Sequence, residues 1–261
     1  MRMLFTQYML LHVPSAILGV LIVASLVFLS IIGLLGVRRV FSHQKLKIHN
    51  DVAGAIFGTL GMAYTVLLAF VVVVVWQAYD LANTNVGKEA NMIGDLYRDS
   101  QSFKEPGRSQ IRVLLQQYRD SVVRDEWPAL ATGSESPKVT KIMDALTRAY
   151  AGYAVNTMSE QIFFQESIRR LNSLYDLRND RVVASTTGIH PLLWFVLIFG
   201  GVATVAFVFF FGSEDLQAQI GMTTLLASLI GLILLTVLVF DFPFTGDISV
   251  SSRAFSEIAF N

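Results

Sequence analysis

Residues 52–79 read VAGAIFGTLGMAYTVLLAFVVVVVWQAY, 28 positions without an Asp, Glu, Lys, Arg or His. A bilayer core of roughly 30 Å takes about 20 apolar helical residues, because no water is present there and the helix must satisfy every backbone N–H and C=O itself. The stretch exceeds that length, so it predicts a spanning helix that tilts or projects beyond the hydrocarbon. Trp76 and Tyr79 stand at interface depth, and Asn50 or Asp51 precedes the helix as a cap.

Three further segments have the same character. Residues 14–37 open on Pro14, where a missing N–H costs nothing, and run uncharged to Arg38 and Arg39. Residues 191–212 open on Pro191 with Trp194 one turn in, and 220–240 form the last. A cleaved signal peptide is not expected, since the first run is too long, only Arg2 precedes it and no small-residue cleavage site follows.

Residues 80–190 hold most of the charge. Ala82, Val86, Ala90, Ile93 and Tyr97 recur at helical spacing, a second set (Ile111, Leu114, Leu115, Tyr118, Val122) ends at Trp127-Pro128, and Pro106-Gly107 separates the two. After the turn-rich stretch 132–136, Pro137 opens a third helix through Ile142, Leu146, Ala149 and Tyr153, and Ile162 to Val182 give a fourth. The expectation is an all-α membrane protein with four transmembrane helices and a helical bundle inserted between spans 2 and 3. Its parts are 1–79, an N-terminal tail with spans 1 and 2 (14–37 and 52–79); 80–190, the polar bundle; 191–240, spans 3 and 4; and 241–261, an interfacial C-terminal tail.

Twenty Lys and Arg balance 20 Asp and Glu, which argues against nucleic acid as a partner. The absence of Cys removes disulfides, thiolate metal sites and cysteine nucleophiles. No phosphate loop, H-E-x-x-H or G-x-S-x-G occurs, so no catalytic residue, metal or cofactor is expected. The uncharged spans also disfavour proton relays, voltage sensors and ion-coupled carriers.

Small residues mark two faces. Gly54, Gly58 and Gly61, continued by Thr65 and Ala69, form a helix-packing stripe on span 2, whereas Thr224, Ser228 and Gly231 on span 4 either pack or line a narrow wet path. Phe207 to Phe211 face lipid or form an apolar gate. Asp241 lies at the C-terminal end of span 4, where the helix dipole disfavours an anion, so it needs a partner such as Arg253. Asp241 or Asp247 in a cation-binding ring is the alternative. His49 and Asp51, with His43, are a polar or ion site, or else a cap and interface residues.

The segment HNDVAGAIFGTLGMAYTVLLAFVVVVVW (49–76), Glu89-Ala90, Tyr97-Arg98, Glu126-Trp127-Pro128 and DFPFTG (241–246) together resemble the bacterial membrane family of unknown function called bestrophin-like. Bestrophins proper are pentameric anion channels with four spans and a cytosolic helical domain between the second and third, and the resemblance implies the same outline here. The apolar neck motif of bestrophins is not found in the second span. Arg38, Arg39, Lys45 and Lys47 in the first loop favour a cytoplasmic first loop and an external inserted domain, whereas the resemblance implies a cytoplasmic one. Two functional readings follow. One is a homo-oligomeric ion channel, passing anions, in a bacterial inner membrane. The other is a non-conducting scaffold or sensor in the same bilayer, whose inserted domain binds a protein partner that the sequence does not identify.

Overall fold

The computed structural model describes residues 2–260, and for residues 2–5, His43 and Lys45 it describes the backbone alone. Among the described residues the chain is helical, with no strand. In chain order the helices are α1 (Arg2–His12), α2 (Ser15–Val40), α3 (His43–Lys47), α4 (Asn50–Asp99), α5 (Gly107–Ser121), α6 (Trp127–Ala131), α7 (Pro137–Ala151), α8 (Met158–Thr186), α9 (Pro191–Val208), α10 (Leu216–Phe240) and α11 (Arg253–Ser256). A 3-10 turn occupies Ser100–Ser102 and a π-helical turn Val122–Glu126. Four helical stretches, within Ser15–Val40, Asn50–Ser102, Met158–Val208 and Leu216–Phe240, are long and apolar enough to cross a membrane. The chain forms two compact units, one of residues 13–77 and 188–241, the other of the described residues in 1–12, 78–187 and 242–261.

The first unit is held by backbones that approach closely. Tyr64 of α4 donates a 2.8 Å hydrogen bond to the Leu197 carbonyl of α9, and Gly200 makes room for its ring, because a Cβ there would lie 2.6 Å from Tyr64 Cδ2. On the other side α10 meets α2 at Gly231, where a Cβ would fall 3.3 Å from Val23 Cα, and at Gly19, packed under Leu235. Around these contacts Leu68, Val71 and Val75 of α4, at helical spacing, are buried with Leu197, Val205, Ala227, Ile230 and Val237. Lipid supplies no hydrophobic drive between helices, so close van der Waals contact at small residues has to hold the spans together.

The third span ends sooner than its apolar run suggests, at Val208 instead of Gly212. The reason is a set of side chains that satisfy the freed backbone groups: Gln219 Nε2 donates to the Phe211 carbonyl at 2.9 Å, and Asn50 both donates to the Gly212 carbonyl and accepts from its N–H, each at 2.9 Å. Asn50 is thus a clamp on the turn after α9. Phe207 stacks on Phe57 with centroids 5.8 Å apart, Phe211 meets Phe57 edge-on at 5.7 Å, and Phe209 fills the notch left by Gly33. These three rings are half-buried within the unit, while Phe210 is exposed. Helix starts are capped as the sequence chemistry demands: Asp215 accepts from the N–H groups of Gln217 and Ala218, and His190 from that of Leu192.

In the second unit α4 continues unbroken to Asp99, and Pro137 opens α7. Helix α5 does not stop at Trp127-Pro128. It passes through the π turn into α6, whose first turn holds Pro128, a residue with no N–H to donate. The C-terminal tail, expected at a membrane interface, instead buries Phe244, Val250 and Phe255 in the core beside Ile93, Leu115, Tyr118 and Leu174. Thr245 Oγ1 donates to the Ala131 carbonyl at 3.1 Å, and Gly246 turns the chain at φ 91°, a conformation that side chains beyond glycine rarely adopt.

Gly231→Leu should force α10 off α2 and destabilise the protein by about 1–3 kcal/mol. Gly221→Leu, on the same helix with nothing within 4 Å of its Cβ, should not. Thermal unfolding of the two variants in detergent separates these outcomes.

Candidate functional site

The deepest polar grouping among the described residues lies in the second unit. Arg181 of α8 spans two carboxylates, donating from Nε to Glu89 Oε2 at 2.7 Å and from Nη2 to Glu89 Oε1 at 2.9 Å and Glu126 Oε2 at 2.8 Å. Arg178, one turn earlier, donates from Nη2 to Glu126 Oε1 at 2.5 Å and to Thr140 Oγ1 at 3.0 Å. Tyr118 completes the group with a 2.6 Å hydrogen bond from its hydroxyl to Glu89 Oε1. The side chains of Arg181, Glu89 and Glu126 are 0% exposed. Two guanidinium groups against two carboxylates leave the cluster neutral, which is the condition under which buried charge is tolerable.

The local sequence explains how these groups meet. On α8, Leu171, Leu174, Arg178, Arg181 and Ser185 are all buried and three or four residues apart, so the two arginines occupy positions on the inward stripe. Glu126 ends the π turn, whose extra residue rotates the following side chains relative to an unbroken α-helix and brings Glu126 and Trp127 inward. Trp127 Nε1 donates to the Val250 carbonyl at 3.1 Å, and its ring meets Phe255 edge-on at 5.6 Å. The Arg181 guanidinium lies over both rings, 5.3 Å from Trp127 and 5.7 Å from Phe255, while its Nη1 makes no hydrogen bond. Aromatic faces compensate part of that loss. Chemically the cluster is a lock joining α4, the π turn, α7 and α8. Burial, and then the charge of Glu89, pushes the Tyr118 phenol well above its ordinary range.

The sequence-predicted positions are distributed differently. Gly54, Gly58 and Gly61 have nothing within 4 Å of a Cβ, so they do not pack helices inside the chain. Of the span 4 stripe, Gly231 is buried against α2, while Thr224 and Ser228 are half-buried. Asp241 is buried and accepts from Ile189 N–H at 2.6 Å and Trp194 Nε1 at 3.1 Å, which ties the end of α10 to the start of α9. These donors, and not Arg253, offset its unfavourable place at the helix end; Arg253 pairs with Glu257 at 2.6 Å. Asp247 is exposed and belongs to the other unit. His49 and Asp51 are exposed, the His43 side chain lies outside the described ones, and no group of three metal-ligating side chains occurs among the described residues. Sequence reasoning missed the roles of Arg178 and Arg181, although two arginines at core positions of an amphipathic pattern were the available signal.

Four apolar spans with an inserted helical domain define a multi-pass helical membrane protein. A family model described as the bestrophin-like domain matches residues 23–255, and the chain belongs to that family. Its fold is similar to crystal structures of a bacterial bestrophin homologue from Klebsiella pneumoniae, each carrying one substitution. One is 14% identical with a TM-score of 0.70, covering 89% of this chain and 94% of that one. Another is 16% identical with a TM-score of 0.68, covering 90% and 94%. No curated protein matches. Glu89, Glu126 and Trp127, which lie in the segments carrying the family resemblance, are members or neighbours of the buried cluster.

Arg181→Met should cost about 3–5 kcal/mol, because Glu89 would then be buried without a cation, while Glu126 keeps Arg178. Denaturant unfolding in detergent measures it. Tyr118 deprotonates in the folded protein only above the pH at which it does so in the unfolded chain, so its contribution to stability is complete below about pH 10 and declines above it. Tyr118→Phe should flatten that alkaline decline while lowering stability at neutral pH by about 1.5–3 kcal/mol.

Proposed function

We propose that the chain is one subunit of a homo-oligomeric bestrophin-type ion channel in a bacterial inner membrane, with anions as the permeating class. The observation that carries the reading is the division of labour among its glycines. Gly19, Gly33, Gly200, Gly201 and Gly231 are each filled by a neighbouring helix, whereas Gly54, Gly58 and Gly61 on α4 meet nothing. Thr65 and Ala69 extend that open face and are exposed. A narrow face without a partner inside the chain suits a second copy of the chain or a water-filled path between copies. The spans contain no fixed charge to trap an ion. In this reading the stripe of Thr224, Ser228 and Gly231 serves packing and Asp241 serves structure, while His49 and Asp51, exposed at the start of α4, stand at the mouth.

Ion flux into liposomes carrying the purified protein, with oligomer mass measured in the same preparation, tests the proposal. Selective flux from a ring-sized oligomer is expected, and Gly58→Leu should abolish the oligomer or the flux while leaving the monomer folded. Sealed vesicles across pH, Ca²⁺ and voltage would instead favour a scaffold whose helical domain binds a partner.

A further inference from the structure

We infer that α1 is an interfacial helix whose exposed face, carrying Tyr8 and Leu11, lies in the headgroup region of the bilayer. The helix has two faces. Gln7 and Leu10 are buried, with Gln7 Nε2 donating to the Ser185 carbonyl at 3.1 Å and the Leu10 carbonyl set against the turn at Gly246. Tyr8 and Leu11, three residues apart and so on one side of the helix, are 61% and 39% exposed. Next to them His12 is exposed, its ring stacked on Tyr8 at 4.1 Å and its Nδ1 donating to the Tyr8 carbonyl at 2.9 Å. One side of α1 is therefore anchored to protein and the other presents an aromatic, an aliphatic and an imidazole group.

What covers that side follows from chain length. Only Val13 and Pro14 separate α1 from Ser15, the first residue of a membrane-crossing helix. At no more than roughly 3.5 Å per residue, the end of α1 cannot lie more than about 10 Å from the start of that helix, which keeps α1 beside the membrane–water interface. The exposed apolar positions continue along the chain from Leu11 into Ile17, Val20 and Leu21 of the membrane-crossing helix α2. Tyrosine suits such a depth because its ring is apolar and its hydroxyl needs water or a headgroup. Charge agrees: no Asp or Glu occurs before Asp51, so nothing acidic on α1 is repelled by anionic lipid. The occupant is thus lipid, and the proposal stands whether or not the protein conducts ions.

The chain contains no Cys, so single labels can be placed without first removing native cysteines. Tyr8→Cys and Leu11→Cys, made separately in the full chain and labelled with a nitroxide, are reconstituted in vesicles of phosphatidylethanolamine and phosphatidylglycerol. The control is Lys141→Cys on exposed α7. Accessibility to oxygen, relative to a polar nickel chelate, should be several-fold higher at 8 and 11 than at 141. Equal ratios at the three positions would mean that this face is in water, and protection from both reagents would mean that protein covers it; either overturns the inference. Two independent sites guard against one variant misfolding, and thermal unfolding of each labelled chain checks this.

Discussion

The contact on which the second unit depends is the bridge from Arg181 to Glu89 and Glu126. Each of these groups would be intolerable alone at full burial, and each is made tolerable by the others. Because the partners come from α4, the π turn and α8, the cluster fixes which helices may be neighbours and in what register. A slip of one residue on α8 would leave two guanidinium groups facing apolar side chains. Trp127, Phe255 and Val250 then close over the cluster, and this draws the C-terminal tail into the core.

The membrane unit is organised by a different constraint. Its spans are alike in hydrophobicity, so burial of apolar surface cannot choose between arrangements; close approach and a few buried hydrogen bonds do. Tyr64 in the space above Gly200, Gly231 against Val23, and Asp241 receiving Ile189 N–H and Trp194 Nε1 each tie two spans together. At the other end of α9 the turn is held by Asn50, while Arg38 donates to Gln219 Oε1 at 2.8 Å and to the Ser213 carbonyl at 2.5 Å. The basic residues that dominate the first loop by count are therefore partly structural. Lys47 too is paired, with Glu214 at 2.6 Å.

These two logics meet in α4, an unbroken 50-residue helix that contributes to both units. In the membrane unit one of its faces is committed to α9 while its small-residue face is left open.

By itself the sequence determined the four spans and the inserted helical domain, because these depend on hydrophobic run length and periodicity, both of which are properties of a single segment. Two kinds of feature were settled only by the tertiary structure. One is the choice among equivalent signals: Gly231 and Gly58 look alike as small residues in an apolar helix, and only the position of another helix shows which is filled. The other is pairing at long separation, as between Glu89 and Arg181 or Asn50 and Gly212, where nothing local distinguishes a buried charge or amide from an exposed one. Both are settled by which backbones come within contact distance, a property of the packed chain and of no single segment.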